Sequence, residues 1–441
     1  MRKIYTHIRL YLYLSIIILL FLLSYWFDIL YSVAWIGVVG LSVFILFDFL
    51  ILFRFKNPIS ANRNLPSKLS NSDENIIWIN VENKYFFKAR IDVIEELPVQ
   101  FQKRDFKYGF SLNPNQKYGF DYSVRPVERG EYHFGRMLIF VSSPLRILKR
   151  RFAFCGKDTM VKVYPSYIQM RKYEFLALNN RNYEHGLKKI RRLGHTMEFE
   201  QIKNYVPGDD IRTINWKTTA KHGKLMVNQY QDEKSQPIYS LIDTGRLMKM
   251  PFEGLKLLDY AINSVLAFSN IVLLKKDKAG LLEFGKKVEH FLPASNISTR
   301  LNMINELLYN IQTDFNDSDY SYLYTFVKRQ ISQRSLLILY TNFEHQSSLK
   351  RQLNYLKSLA KKHLVLVIIF KNTELDALIN KKADYLQDIY HKTIAEKFDY
   401  DKRLIAKELQ LNGIHAILTK PQNLTVNAIN KYLEFKAKGM I

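Results

Sequence analysis

The sequence predicts a membrane-anchored α/β protein: a two-helix transmembrane hairpin, then an antiparallel β-sandwich module, then a mostly parallel sheet flanked by helices. An almost uncharged apolar segment near the amino terminus predicts the hairpin. Short alternating strands predict the sandwich, and continuous apolar strands separated by amphipathic helices predict the sheet. The expected divisions are 1–55 (hairpin), 56–74 (linker), 75–165 (β-sandwich module), 166–234 (connecting region) and 235–441 (α/β domain).

The 441 residues include 65 Lys and Arg against 41 Asp and Glu, which gives a formal net charge of +24. This excess favours an anionic partner, such as lipid headgroups, nucleic acid or an acidic protein surface. The single cysteine, Cys155, excludes a disulfide framework and a Cys-based zinc site. No phosphate loop, dinucleotide-binding glycine motif or His-Glu-x-x-His motif occurs. We therefore expect neither catalytic activity nor a cofactor.

The predicted hairpin lies between Arg9 and Arg54, a segment whose only charges are two aspartates. Leu10–Trp26 and Ile29–Phe47 each approach the roughly 20 apolar residues that a spanning helix needs. Lys and Arg flank the two outer ends, and the short connection has none, so the positive-inside rule places both termini in the cytoplasm. We expect a multi-pass protein of the inner (cytoplasmic) membrane.

Asp48 lies inside the second predicted span, where a charge costs about 2.5–3.5 kcal/mol at mid-helix. It could serve a polar relay or a partner helix. We favour the alternative that it lies near the cytoplasmic end of the helix and reaches the headgroups.

The middle of the chain contains short alternating segments broken by turn residues. These are Ile76–Val81, Phe86–Val93, Gly119–Val124, Gly130–Phe134 and Met160–Val163. Their spacing is typical of a small antiparallel sandwich, which serves as a spacer or a binding surface.

Two basic clusters follow, Arg146/Lys149/Arg150/Arg151 and Lys188/Lys189/Arg191/Arg192. Each could bind anionic lipid or form an ordinary solvated surface. Neither is interleaved with the aromatic residues of a single-strand nucleic-acid groove, so we expect no nucleic-acid partner.

From Ser235 the pattern becomes that of buried parallel strands: Ile238–Ile242, Ala279–Phe284, Leu336–Tyr340, Leu364–Phe370 and Ile414–Leu418. Phe252–Ile271 has helical spacing. Ligands of such sheets bind at the carboxyl ends of strands, which directs attention to Asp243, Thr341 and Asn342.

The segment from Glu198 to Trp216 is the most distinctive of the chain. Pro207-Gly208 predicts a turn, and Asp209 is placed to cap a short helix beginning at Asp210. Arg212 and Trp216 are one helical turn apart, so a guanidinium–indole contact is feasible. The segment is either a structural clasp or a binding site.

This pattern resembles the signature of the domain of unknown function 58 family. The matching residues are Tyr205, Gly208, Asp209, Arg212, Ile214, Trp216, Ala220, Tyr230, Asp243, Gly245 and Arg246. The chain departs from the pattern ahead of the tyrosine, where Lys203 and Asn204 replace a basic-then-acidic pair. The resemblance implies that the carboxyl-terminal domain is similar to a von Willebrand factor A domain.

The resemblance also implies a class of function. Members are commonly encoded beside MoxR-type AAA+ ATPases and other von Willebrand A-like membrane proteins, and they have no established catalytic activity. The expectation is therefore a non-catalytic, bilayer-anchored adaptor or assembly factor. Its expected partners are an AAA+ ATPase, other von Willebrand A-like membrane proteins or an envelope-assembly client.

The alternative expectation is metal-dependent ligand binding. Adhesion-type von Willebrand A domains hold magnesium through an Asp-x-Ser-x-Ser loop and hydroxyl and carboxylate ligands from two further loops. This chain has Asp243, Gly245 and Leu247 in the first loop and Thr341-Asn342 in the third, so both serine hydroxyls are absent. Asp243, Thr341 and Asn342 are weak metal candidates, because Mg²⁺ requires more oxygen ligands. We favour Asp243 as a residue that holds the strand end or contacts a protein.

Overall fold

The computed structural model describes residues 4–103, 105–156, 158–178, 197–207, 209, 211–232, 235–313, 315–380 and 385–441. The chain divides into two compact units, Met1–Tyr164 and Pro165–Ile441. It is a mixed α/β protein with apolar amino-terminal helices, a β-sandwich region and a mixed sheet. The predicted fold class is confirmed at that level.

The first unit contains two helices and eleven strands within its described residues. They are α1 (Ile8–Leu23), α2 (Ile29–Phe53), β1 (Ile4–Thr6), β2 (Ile59–Asn64), β3 (Lys68–Ser70), β4 (Asn75–Asn83), β5 (Ala89–Glu95), β6 (Lys107–Leu112), β7 (Lys117–Val124), β8 (Gly130–Phe134), β9 (Met137–Ser142), β10 (Leu148–Phe154) and β11 (Thr159–Tyr164). Their sheet orders are β1-β10-β9-β5-β6, β2-β4-β7 and β3-β11-β8. Neighbours are antiparallel except for β3 and β11.

The alternation of side chains explains the sandwich. In β4, Ile77, Ile79 and Val81 are buried, whereas Ile76 and Trp78 are exposed. A strand that buries every second residue covers one face of a sheet and leaves the other to solvent.

The expectation of a linker at residues 56–74 is wrong, because this segment contributes β2 and β3 to the sheets. Strand β2 pairs with β4 over its whole length. Arg63 of β2 forms a buried ion pair with Glu95 of β5. Asn and Ala, which make up half of β2, are depleted in strands, so the local sequence resembles a loop until these long-range partners are known.

The interpretation of Asp48 as a headgroup-facing residue is also wrong. Asp48 is fully buried, and its Oδ2 accepts hydrogen bonds from the backbone N–H groups of Ile147 (3.2 Å) and Leu148 (2.8 Å). The start of β10 thus replaces water as the partner of this carboxylate.

The second unit contains nine helices and ten strands within its described residues. The helices are α3 (Tyr167–Leu178), α4 (Trp216–His222), α5 (Leu257–Leu274), α6 (Arg300–Asn310), α7 (Tyr320–Gln330), α8 (Gln346–Ala360), α9 (Thr373–Asn380), α10 (Leu386–Leu411) and α11 (Leu424–Ala437). The strands are β12 (Met197–Asn204), β13 (Met226–Asp232), β14 (Pro237–Asp243), β15 (Pro251–Phe252), β16 (Leu255–Lys256), β17 (Lys278–Phe284), β18 (Val288–Ser295), β19 (Leu336–Thr341), β20 (Leu364–Phe370) and β21 (His415–Thr419).

Six of these strands form one sheet in the order β18-β17-β14-β19-β20-β21. The five strands predicted from continuous apolar segments are mutually parallel neighbours, and β18 adds an antiparallel edge. One core packs α5, α6 and α11 against one face of the sheet, and a second core packs α7, α8 and α10 against the other. Burial on both faces explains why the parallel strands are apolar throughout.

The helix expected over Phe252–Ile271 begins later, at Leu257. A short hairpin of β15 and β16 precedes it. Glu253 (φ 47°) and Gly254 (φ 82°) both adopt the left-handed conformation of a two-residue hairpin turn. The apolar residues of β15 and β16 therefore have the spacing of a helix, although their backbone forms a hairpin.

Candidate functional site

The signature residues form a hairpin with a structured loop. Strands β12 and β13 are antiparallel, and Asn204 pairs with Met226 where the loop begins. Two backbone hydrogen bonds close the loop, from Tyr205 N to Leu225 O and from Asn215 N to Met226 O, both 2.9 Å. The loop contains a single 3₁₀ turn at Ile211–Thr213, followed by α4.

Helix α4 is capped at both ends. The Asn215 side chain accepts a hydrogen bond from Thr218 N (3.0 Å) and donates another to Asn228 Oδ1 of β13 (2.9 Å). Gly223, with φ 66°, ends the helix in the left-handed conformation that glycine tolerates best.

Asp210, where a helix capped by Asp209 was expected to begin, lies outside the described residues. The carboxylate of Asp209 accepts hydrogen bonds from Lys203 Nζ (2.9 Å) and Val206 N (3.0 Å), and Asp209 N donates to Val206 O (2.9 Å). These two hydrogen bonds between Val206 and Asp209 fix the turn before the 3₁₀ segment. The hydrogen bond from Lys203 is the main reason why the pKa of Asp209 is lowered.

The loop presents apolar side chains to solvent. Val206, Ile211 and Trp216 are 55%, 68% and 67% exposed. We call these three residues the signature patch. Ile214 is half-buried and Ala220 is exposed, whereas Gly208 and the side chains of Arg212 and Tyr230 lie outside the described residues. The expected contact between Arg212 and Trp216 therefore stays a prediction.

Asp243 ends β14 and lies in a buried hydrogen-bond network. Its Oδ1 accepts hydrogen bonds from Gly245 N (2.9 Å) and the Ser318 hydroxyl. Its Oδ2 accepts hydrogen bonds from the hydroxyls of Thr341 (2.6 Å) and Tyr320 (3.3 Å). Burial raises the pKa of Asp243, and it raises that of Tyr320 well above its usual value. All four donors to this carboxylate are groups of the protein itself.

Glycine at position 245 is required by close packing. A Cβ at Gly245 would overlap the Ser318 hydroxyl and lie 3.1 Å from Asp243 Oδ1. The following Arg246 is exposed and pairs with Asp317 at 2.8 Å. The segment 243–246 is therefore fixed from both sides by the loop that precedes α7.

Asn342 is held by a lysine that sequence reasoning missed. Lys402 of α10 is buried, and its Nζ donates hydrogen bonds to Asn342 Oδ1 and Phe343 O. Burial lowers the pKa of Lys402 to about 8. The structure thus brings Asp243 and Thr341 together, while the amide oxygen of Asn342 is bonded to an ammonium group. Sixty residues separate this pair, so no local pattern indicates it.

A different group of side chains could hold a metal ion. Within the described ranges, the one such group is Glu283, Glu289 and His290, whose ligand atoms lie within 4.8 Å of one another. His290 Nδ1 lies 2.6 Å from Glu283 Oε2, which makes a histidine–glutamate ion pair an alternative use of these residues. The antiparallel pairing of β17 with β18 brings Glu283 opposite His290. Sequence reasoning missed the group because β18 was not predicted.

The second unit combines a mixed sheet with an exposed signature loop between β12 and β13. Residues 201–382 match the family model described as protein of unknown function DUF58. This match over residues 201–382 agrees with the resemblance that the signature indicated.

Other comparisons are more distant. Uncharacterized protein YeaD of Bacillus subtilis strain 168 is 27% identical over 172 residues, which is 38% of this chain and 40% of YeaD. Among solved structures, the conserved hypothetical protein BatB of Bacteroides thetaiotaomicron is similar over 46% of this chain and 98% of BatB, with 15% identity and a TM-score of 0.33. The ASH/PapD-like domain 7 of human CEP192 is similar over 25% of this chain and 91% of that domain, with 11% identity and a TM-score of 0.19.

Proposed function

We propose that the chain is a non-catalytic, membrane-anchored adaptor or assembly factor that binds a partner protein through the signature patch. Exposure of Val206, Ile211 and Trp216 is the observation that carries this proposal. The loop that presents them is fixed by caps and by the Lys203–Asp209 ion pair. A pre-ordered loop loses little entropy on binding, and burying an apolar side chain contributes at most about 1.5–3 kcal/mol before the costs of association are subtracted.

The proposed partner is a MoxR-type AAA+ ATPase or an envelope-assembly client, as the family resemblance implies. We further propose that the second unit is von Willebrand A-like. Support comes from the mixed sheet with helices on both faces and from Asp243 at the carboxyl end of its β14 strand. Asp243 would then hold the loops around the strand ends, because all four of its hydrogen bonds come from protein donors.

We propose that α1 and α2 form a transmembrane hairpin with both termini in the cytoplasm. Helix α2 has 25 residues and spans about 37 Å. It is one of two described helices long and apolar enough to cross a membrane; the other, Leu257–Leu274, is mostly buried in the core of the second unit. Helix α1 has 16 residues and is shorter than a usual span. Tyr25 and Trp26 follow α1, at the position where aromatic residues favour the membrane interface.

A crosslinked pull-down of the full-length protein from gently solubilised membranes tests the proposal. Wild type is compared with Ile211→Ser/Trp216→Ser, and Val99→Ser/Leu411→Ser serves as a control because both of its residues are also highly exposed. We expect an AAA+ ATPase to be enriched by wild type and the control but not by the signature variant. Equal recovery with all three would contradict the role of the patch.

A further inference from the structure

Basic residues from four elements converge at the start of α1. Strand β1 pairs with β10 so that Tyr5 lies opposite Lys149, and His7 N donates a hydrogen bond to Ile147 O (2.9 Å). This pairing fixes the first turn of α1, with Arg9, beside the turn that carries Arg146.

The sheet register brings in a further cation. Lys149 of β10 and Arg90 of β5 both pair with Ser142 of β9, so they flank it in one row across three strands. Side chains in one row of a sheet project from the same face. We call Arg9, Arg90, Arg146 and Lys149 the α1 basic patch.

The patch carries a local excess of positive charge. Lys149 pairs with Asp92 at 2.8 Å. In the part of the chain that the structure describes, Arg9, Arg90 and Arg146 form no ion pair within 4.0 Å, although Arg90 and Lys149 both act on the charge of Asp92. The pKa of His7 is lowered, first by burial and then by the charges of Lys149, Arg9, Arg146 and Arg90. All four cations therefore lie close enough to His7 to lower the pKa of its imidazole.

The patch differs from the basic cluster seen in the sequence. Arg150 is buried and donates hydrogen bonds to Leu52 O (2.6 Å) and Phe55 O (2.8 Å) at the end of α2. Arg151 donates to the Tyr5 hydroxyl (2.8 Å). Only Arg146 and Lys149 remain from the sequence cluster, and Arg9 and Arg90 join them. The second sequence cluster, at 188–192, lies outside the described residues.

We propose that the α1 basic patch binds the phosphate headgroup of an anionic phospholipid. This inference rests on the proposed membrane hairpin, because α1 begins and α2 ends beside the patch, at the depth where headgroups would lie. An anionic headgroup would supply the negatively charged ion-pair partner that Arg9, Arg90 and Arg146 lack among the described residues. Arginine is suited to this role, since its guanidinium group binds phosphate with two parallel hydrogen bonds.

The test uses the full-length protein reconstituted into nanodiscs of phosphatidylcholine with a minority of phosphatidylglycerol. Bound lipid is quantified by native mass spectrometry after release into detergent. The variant Arg9→Gln/Arg90→Gln/Arg146→Gln removes three charges from the patch. Arg329→Gln/Arg334→Gln/Lys350→Gln removes three exposed charges from the second unit and serves as the matched control.

We expect wild type and the control to retain phosphatidylglycerol in preference to phosphatidylcholine. At about 1 kcal/mol for each basic residue, the patch variant should lose roughly a hundredfold of that preference. Equal retention of phosphatidylglycerol by all three proteins would overturn the inference. Displacement of bound phosphatidylglycerol by inorganic phosphate at the same concentration as the lipid would also overturn it. Failure of wild type to enter nanodiscs would instead contradict the membrane hairpin itself.

Discussion

At the scale of single residues, buried polar contacts order the loops at the carboxyl ends of β14 and β19. Asp243 accepts four hydrogen bonds, and Lys402 donates to the loop that follows β19. A buried polar group without a partner costs about 1–3 kcal/mol, so each of these contacts helps to fix the loops. Fixed loops would give the proposed adaptor a binding surface with a single conformation.

Lys402 gives a pH-dependent prediction. Its pKa is about 8 in the folded protein, against an ordinary value of 10.5. Between these pH values the unfolded state binds more protons, so the free energy of unfolding rises with pH. We expect a gain of about 2 kcal/mol between pH 7.5 and 9.5.

Denaturant unfolding of wild type and Lys402→Met across this range measures the gain. The variant lacks the titrating amine, so the difference between the two proteins isolates Lys402 from other groups. A difference that stays constant with pH would show that Lys402 is not held in this low-dielectric environment.

At the scale of elements, the end of α2 is attached to the sandwich. Arg150 donates to two carbonyls at that end, and its guanidinium group lies 4.7 Å from the rings of both Phe53 and Phe152. Asp48 adds two hydrogen bonds one turn earlier, and the Tyr85 hydroxyl donates to Leu52 O (2.9 Å). These contacts therefore hold the end of α2 firmly against the sandwich.

Arg150→Met should destabilise this attachment by about 2–3 kcal/mol, because two carbonyls lose a charged donor. Tyr85→Phe, which removes one neutral hydrogen bond, should cost about 1 kcal/mol. Trypsin cleavage after Arg54 and Lys56 reports the loosening and should be faster in Arg150→Met than in Tyr85→Phe. Equal cleavage rates in both variants and wild type would argue against the attachment.

At the scale of the whole molecule, the two units have separate cores. The first unit includes α1, α2 and β1 in its fold, and Leu10 and Leu52 belong to the sandwich core. The second unit has its own core on each face of the six-stranded sheet. Removal of α1 and α2 should therefore affect the two units differently.

Deletion of residues 1–55 should release the protein from membranes and lower the melting temperature of the sandwich. The sandwich loses its β1 edge strand and the hydrogen bonds of Asp48, whereas the second unit keeps its cores. Sedimentation with vesicles at moderate salt and differential scanning calorimetry measure the two effects. A truncated protein that stays fully membrane-bound would contradict the hairpin anchor, and a single lowered transition would contradict independent cores.

Much of the architecture follows from the sequence alone. The five parallel strands appear as continuous apolar segments because both of their faces are buried, and β4 appears as an alternating pattern because only one face is buried. The signature led to the family match for the same reason: its residues from Tyr205 to Tyr230 lie within one continuous hairpin.

The tertiary structure decided the polar contacts. The partners of Asp48, Asn342 and Arg63 lie 32 to 100 residues away, and Arg90 joins the α1 basic patch only through the register of three strands. Exposure of Trp216 likewise depends on how its loop closes. Apolar burial is encoded in local periodicity, whereas a hydrogen bond needs two specific atoms within about 3 Å, and only the folded chain brings them together.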